Sequence, residues 1–140
     1  MPNIVSIFII IATLIVATMH VIPGINYRPK PQGLETGALN KNKPNWVSSF
    51  VEKTDPHYIA PLQRMDFTGL PDCLSHLSRK TTIVKHDKES LVAYRQSTLF
   101  NFTDWLYIRA DGQATSSATM GYYDFNKNRE WVEEIRRACS

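Results

Sequence analysis

Nineteen residues near the N-terminus, Ile4 to Ile22, contain no charged side chain, while all 16 Lys and Arg and all 13 Asp and Glu of the 140-residue chain lie elsewhere. At ~1.5 Å per helical residue the run covers about 28 Å, close to the ~30 Å hydrocarbon core of a bilayer. Its many β-branched residues weaken a helix in water. In lipid the backbone has no other hydrogen-bond partner, so the helix forms regardless. Pro23-Gly24 reads as its end. A cleaved secretory signal has a basic start, a shorter apolar core and a small-residue cleavage site. Met1-Pro2-Asn3 is uncharged and Pro23-Gly24 is a poor cleavage context, so the expectation is a retained transmembrane helix over residues 1–23.

Ala12, Thr13, Ala17 and Thr18 offer small side chains for packing against a second membrane helix. The competing expectation is that the hydroxyls bond back to carbonyls of their own helix. His20 falls near the membrane edge, where a snorkelled histidine is the expected state rather than a ligand. Nothing basic precedes the span, whereas Arg28, Lys30, Lys41 and Lys43 follow it. The excess of basic residues predicts that the rest of the chain lies on the cytoplasmic or matrix side. The sequon Asn101-Phe102-Thr103 agrees, since a domain in the secretory lumen would risk modification there.

Residues 24–45 hold Pro29, Pro31 and Pro44 with Gly24, Gly33 and Gly37 and show no apolar periodicity. They read as an extended linker laid along a partner. From Trp46 a soluble domain over 46–140 is expected. Leu70, Cys73, Leu74 and Leu77 keep helical spacing, with Pro71 in the first turn, which predicts a helix of about ten residues. Thr81–His86 and Ser90–Thr98 read as a hairpin across the polar turn Asp87-Lys88-Glu89. Trp105–Arg109 and Ala114–Met120 read as a second hairpin on an Asp111-Gly112 turn. Asp124 or Asn126 caps a last helix whose apolar face carries Trp131, Val132, Ile135 and Ala138. The predicted fold class is α+β: a four-stranded antiparallel meander with flanking helices packed on one face, preceded by one transmembrane helix.

The chemistry is sparse. The six glycines form no phosphate-binding loop, and Cys73 and Cys139 belong to no CxxC or Cys/His pair, so no metal, cofactor or catalytic set is expected. Cys73 lies on an apolar helix face, which favours core packing; two cysteines make no framework, and although a single disulfide between Cys73 and Cys139 is the alternative, two separate thiols are expected. The net charge of +3 is scattered among acids, which is no nucleic-acid footprint. Gly121, Lys127, Asn128 and Arg129 gather at the start of the last helix, where backbone amides and two cations would suit an anion. The competing expectation is that they close the turn and cap the helix.

Pro44-Asn45-Trp46-Val47-Ser48-Ser49, Tyr58-Ile59-Ala60-Pro61-Leu62, Leu99-Phe100-Asn101-Phe102-Thr103-Asp104 and Gly121-Tyr122-Tyr123-Asp124 with Asn128-Arg129 together resemble the domain-of-unknown-function 1499 family over residues 44–138. The chain departs from that pattern at three places. Trp46 replaces a cysteine, Trp105 replaces an acid, and Thr115-Ser116-Ser117-Ala118-Thr119 stands where the family has arginines at both ends. If the family holds an anion through those arginines, the resemblance implies that this chain does not. A scaffold without that polar site suits a non-catalytic accessory subunit of a large membrane complex. The expected setting is a respiratory, electron-transport complex of the mitochondrial inner membrane, with other membrane subunits and lipid as partners. The alternative expectation is a free membrane-tethered module that binds a small anion or lipid headgroup.

Overall fold

The computed structural model describes residues 1–22 and 24–140, so Pro23 of the expected Pro23-Gly24 stop lies outside the described residues. Helix α1 spans Ile4–Val21 and is long and apolar enough to cross a membrane. Asn3 caps it through a bond from the Ser6 amide (2.8 Å). No residue of α1 is buried by the rest of the chain.

The sheet has five strands, one more than expected: β1 (Trp46–Ser48), β2 (Thr81–His86), β3 (Ser90–Gln96), β4 (Thr103–Arg109) and β5 (Ala114–Ala118), ordered β1-β5-β4-β3-β2. All neighbours pair antiparallel. Three residues are too few for a period-2 signal, and β1 owes its place to its pairing partner: Trp46, Val47 and Ser48 face Ser117, Ser116 and Thr115 of β5. The Asp-Gly turn expected between β4 and β5 forms. Gly112 has φ +94°, and a Cβ there would sit 1.9 Å from the Leu62 carbonyl oxygen.

Helices α2 (Leu70–Ser75) and α3 (Lys127–Ala138) cover one sheet face. Leu70, Leu74, Trp131, Val132 and Ile135 pack there against Val47, Leu91, Leu106 and Ile108. α2 is shorter than the sequence predicts, because the His76 amide turns back to Cys73 O and leaves Leu77 outside the helix. The expectation of two thiols is overturned. Cys73 and Cys139 form a disulfide with their Cα atoms 5.8 Å apart, tying α2 to the end of α3. Their 66-residue separation carries no hint of this; only the packing of the two helices on one face brings them together.

The linker does not reach outward. Residues 24–45 strap the other face of their own sheet. Leu34, 1% exposed, fills the centre of a cluster with Val92, Trp105 and Tyr107. Two buried indoles explain the path, since each needs an acceptor for its N–H. Trp105 Nε1 donates to Arg28 O and Trp46 Nε1 to Asn40 O, both at 2.9 Å. An extended backbone has carbonyls free to receive them.

Candidate functional site

Every residue of the Gly121–Arg129 site has a partner within the chain. Gly121 turns the chain at φ +79° and its carbonyl accepts from Asn45 Nδ2 (3.0 Å). The carboxylate of Asp124 already occupies the start of α3. It accepts from the amides of Asn126 (3.1 Å) and Asn128 (3.0 Å) and from Asn128 Nδ2 (2.8 Å). Asn128 is fully buried and also receives Ser116 Oγ at 2.6 Å. Arg129 staples the loop before Ile59 through Tyr58 O (2.9 Å) and Pro56 O (3.0 Å), while Lys127 pairs with Glu130 (2.8 Å). An external anion here would have to displace Asp124, because the helix supplies its own negative charge to its dipole. Of the two expectations for this stretch, the geometry favours turn closure and capping.

Thr115 and Thr119, where the family pattern has arginines, are also closed by short internal bonds. Thr115 Oγ1 meets Ser48 Oγ at 2.8 Å and Thr119 Oγ1 donates to Thr103 O at 2.7 Å. In α1, Thr13 and Thr18 donate to Ile9 O (2.8 Å) and Leu14 O (2.7 Å) of their own helix. At about 100° per residue, Ala12, Thr13, Ala17 and Thr18 spread over more than half the helix circumference. Only Thr13 and Ala17 stand side by side, so the four are not one face.

His57 is buried and structural: it stacks on Trp46 at 3.9 Å and contacts Asp55 Oδ1 and Lys43 O, both at 2.8 Å. Among the described residues, no group of three or more His, Cys, Asp and Glu could hold a metal.

Sequence reasoning missed a buried charge pair. Arg95 of β3 faces Asp104 of β4 across the sheet, on the side of α3. The guanidinium lies over the Trp131 ring at 4.2 Å and donates from Nη2 to Lys127 O (2.8 Å). Its Nε is 3.8 Å from Asp104 Oδ2 and has no hydrogen-bond partner. Burial outweighs the mutual attraction on both sides: it lowers Arg95 to about 10 and raises Asp104 to about 6. Alternation does mark Leu91, Ala93 and Arg95 as one side of a strand. Nothing in the sequence says that Arg95 meets an acid there.

The Asp104 shift fixes a sign. A carboxyl whose folded pKa is raised binds its proton more tightly when folded. Its contribution to stability therefore falls as the pH rises from about 4 to about 6 and stays constant above. Asp104→Asn should flatten the pH–stability curve in that window by up to about 3 kcal/mol. Denaturant unfolding at pH 4, 5, 6 and 7.5 measures it, and an unchanged slope would remove Asp104 as the titrating group.

The Arg95–Asp104 pair lies towards one end of the sheet, and α1 joins the domain at that end. His20 Nε2 is 3.1 Å from Thr98 O, and Asn101 Nδ2 donates to Met19 O (3.1 Å). Asn26 is bonded to Phe100 O and Thr103 Oγ1 to Asn26 O. The β3–β4 loop thus holds both the end of α1 and the residues that follow it.

The sequence matches the family described as "Protein of unknown function (DUF1499)" over residues 38–139. No match was found among curated proteins or among solved structures. A match that covers every strand, both helices of the domain and the Asp124–Asn128 closure establishes that the chain belongs to the DUF1499 family.

Proposed function

We propose that the protein is a membrane-tethered binding module, non-catalytic, whose domain is held against the bilayer by its own anchor. The observation that carries this reading is the clamp at the end of α1. The β3–β4 loop bonds to Met19, His20 and Asn26, and residues 24–45 lie on their own sheet. A tether bound down in this way keeps one end of the sheet at the lipid surface; a free linker of the same length would let the domain roam. The Cys73–Cys139 disulfide supports a domain on an oxidising side of that membrane, opposite to the side that the charge pattern predicts.

One observation favours a second reading, an accessory subunit of a larger membrane complex such as a respiratory one: beyond the contacts at Met19 and His20, α1 has no residue buried among the described residues, so its apolar length is left for other helices or lipid to cover. Native-gel mass measurement after mild detergent extraction separates the two. The module should migrate at the mass of one 16.0 kDa chain with its detergent. Co-migration with a large assembly would reject the module in favour of the subunit.

A further inference from the structure

A polar cleft of about 490 Å³ opens where β2 begins and β3 ends, beside the clamp just described. Ser78, Arg79, Lys80, Arg95, Gln96 and Thr98 line it. Thr98 is the residue whose carbonyl meets His20, so a residue that lines the cleft touches the last turn of α1. Three cations converge on it, and their partners are few. Arg79 and Lys80 make no ion pair among the described residues. Arg95, 4% exposed, donates a single hydrogen bond among the described residues and keeps an unpartnered Nε. The acids that face it are engaged or distant. Glu130 is paired with Lys127, Glu134 accepts from the Ser78 amide (3.1 Å), and Asp104 stays beyond hydrogen-bond reach of Nε. Arg79 and Arg95 are near enough to repel, and their repulsion adds to the burial that lowers Arg95.

A buried arginine with spare donors, beside a second arginine, a lysine and two hydroxyls, is short of one ligand. A group with several charged oxygens satisfies it best. Guanidinium forks match phosphate geometry, hydroxyls add neutral donors, and a singly charged carboxylate would leave most of the cationic charge unanswered.

We propose that the Arg79–Lys80–Arg95 cleft is a phosphate-binding site that takes the headgroup of an anionic phospholipid from the membrane α1 spans. The lipid source follows from position, since a cleft fixed at the end of a spanning helix sits at headgroup depth. It rests on the membrane-tethered reading above. It is independent of the Gly121–Arg129 loop, where Asp124 fills the corresponding role.

The test uses the full chain in a neutral detergent with three probes: dioctanoyl phosphatidylglycerol, dioctanoyl phosphatidylcholine and inorganic phosphate. The readouts are native-mass adducts and the shift in thermal midpoint. We expect saturable binding of the phosphatidylglycerol and little binding of the phosphatidylcholine. Arg79→Ala with Lys80→Ala should weaken it about tenfold to thirtyfold, the loss anticipated for two basic residues at an anionic surface. Lys85→Ala with Lys88→Ala, at the β2–β3 turn on the opposite end of the sheet, should leave it unchanged. Binding of inorganic phosphate with the same dependence on Arg79 and Lys80 upholds the phosphate site and makes free phosphate its ligand. Equal losses in both double variants, or no binding of either anion, overturn the site. The single-chain mass on native gels would be untouched by that failure, so the site and the tethered reading fall separately.

Discussion

The full chain with Cys73→Ser and Cys139→Ser should unfold with about 4 kcal/mol less stability than the native protein. The two cysteines close a loop of 66 residues, and the chain-entropy description of a cross-link assigns that value to a loop of this length. The loop contains β2 through β5 and all of α3, so the cross-link restricts the unfolded ensemble of most of the domain. In a domain of about 100 residues such a loss approaches the entire margin of stability. Denaturant unfolding in detergent, with and without reductant, measures it: the reduced native protein should match the double variant. A shift below about 1 kcal/mol in both would show that the cross-link contributes little. The same bond can be read in cells. Thiol labelling of unreduced extracts should leave the protein unmodified, whereas labelling of both cysteines would place the domain in a reducing compartment.

The parts of the fold legible in the sequence are those where one element decides its own structure. Trp131, Val132 and Ile135 recur at helical spacing and are buried against the sheet. The apolar run of α1 and the Asp111-Gly112 turn are equally local. What escaped is what two distant segments decide together. β1 is a strand because β5 lies beside it, and the disulfide exists because α2 and α3 share a face. Arg79 and Lys80 stand in no motif of the sequence. They gain meaning only when the β2–β3 register sets Thr81 opposite Arg95 and carries all three cations to one cleft. The Gly121–Arg129 cluster is the opposite case, a local one, where the expectation of turn closure and capping could be drawn from the sequence. Its polar residues are dense in sequence because they satisfy one another, through Asp124, Asn128 and Ser116.

Leu34→Asp is the sharpest probe of the strap, and its expected effect rivals that of the disulfide. Leu34 is 1% exposed among Val92, Trp105 and Tyr107. Truncating a buried leucine to alanine costs about 2–5 kcal/mol, and a carboxylate in its place adds the penalty of an unpaired charge. Lys30, on the same strap, is already paired with Glu35. The strap has few other apolar anchors, so the chain has a cheaper escape than unfolding: residues 24–45 peel off and carry the new carboxylate into water. The two responses are distinguishable. Global unfolding would lower the thermal midpoint of the whole domain. Peeling would leave the Cys73–Cys139 half of the domain cooperative and expose Trp46 and Trp105 to solvent. It would also open the bond after Glu35 to a glutamate-specific protease and the bond after Lys41 to trypsin. We expect peeling, with a red-shifted tryptophan emission and cleavage in the strap, because Leu34 occupies a cluster separate from the helix-covered core. Protection equal to the native protein would mean that the two indole hydrogen bonds hold the strap without Leu34. Once loosened, the strap would no longer hold the sheet end at the lipid surface, so Leu34→Asp should also weaken headgroup binding without touching Arg79, Lys80 or Arg95.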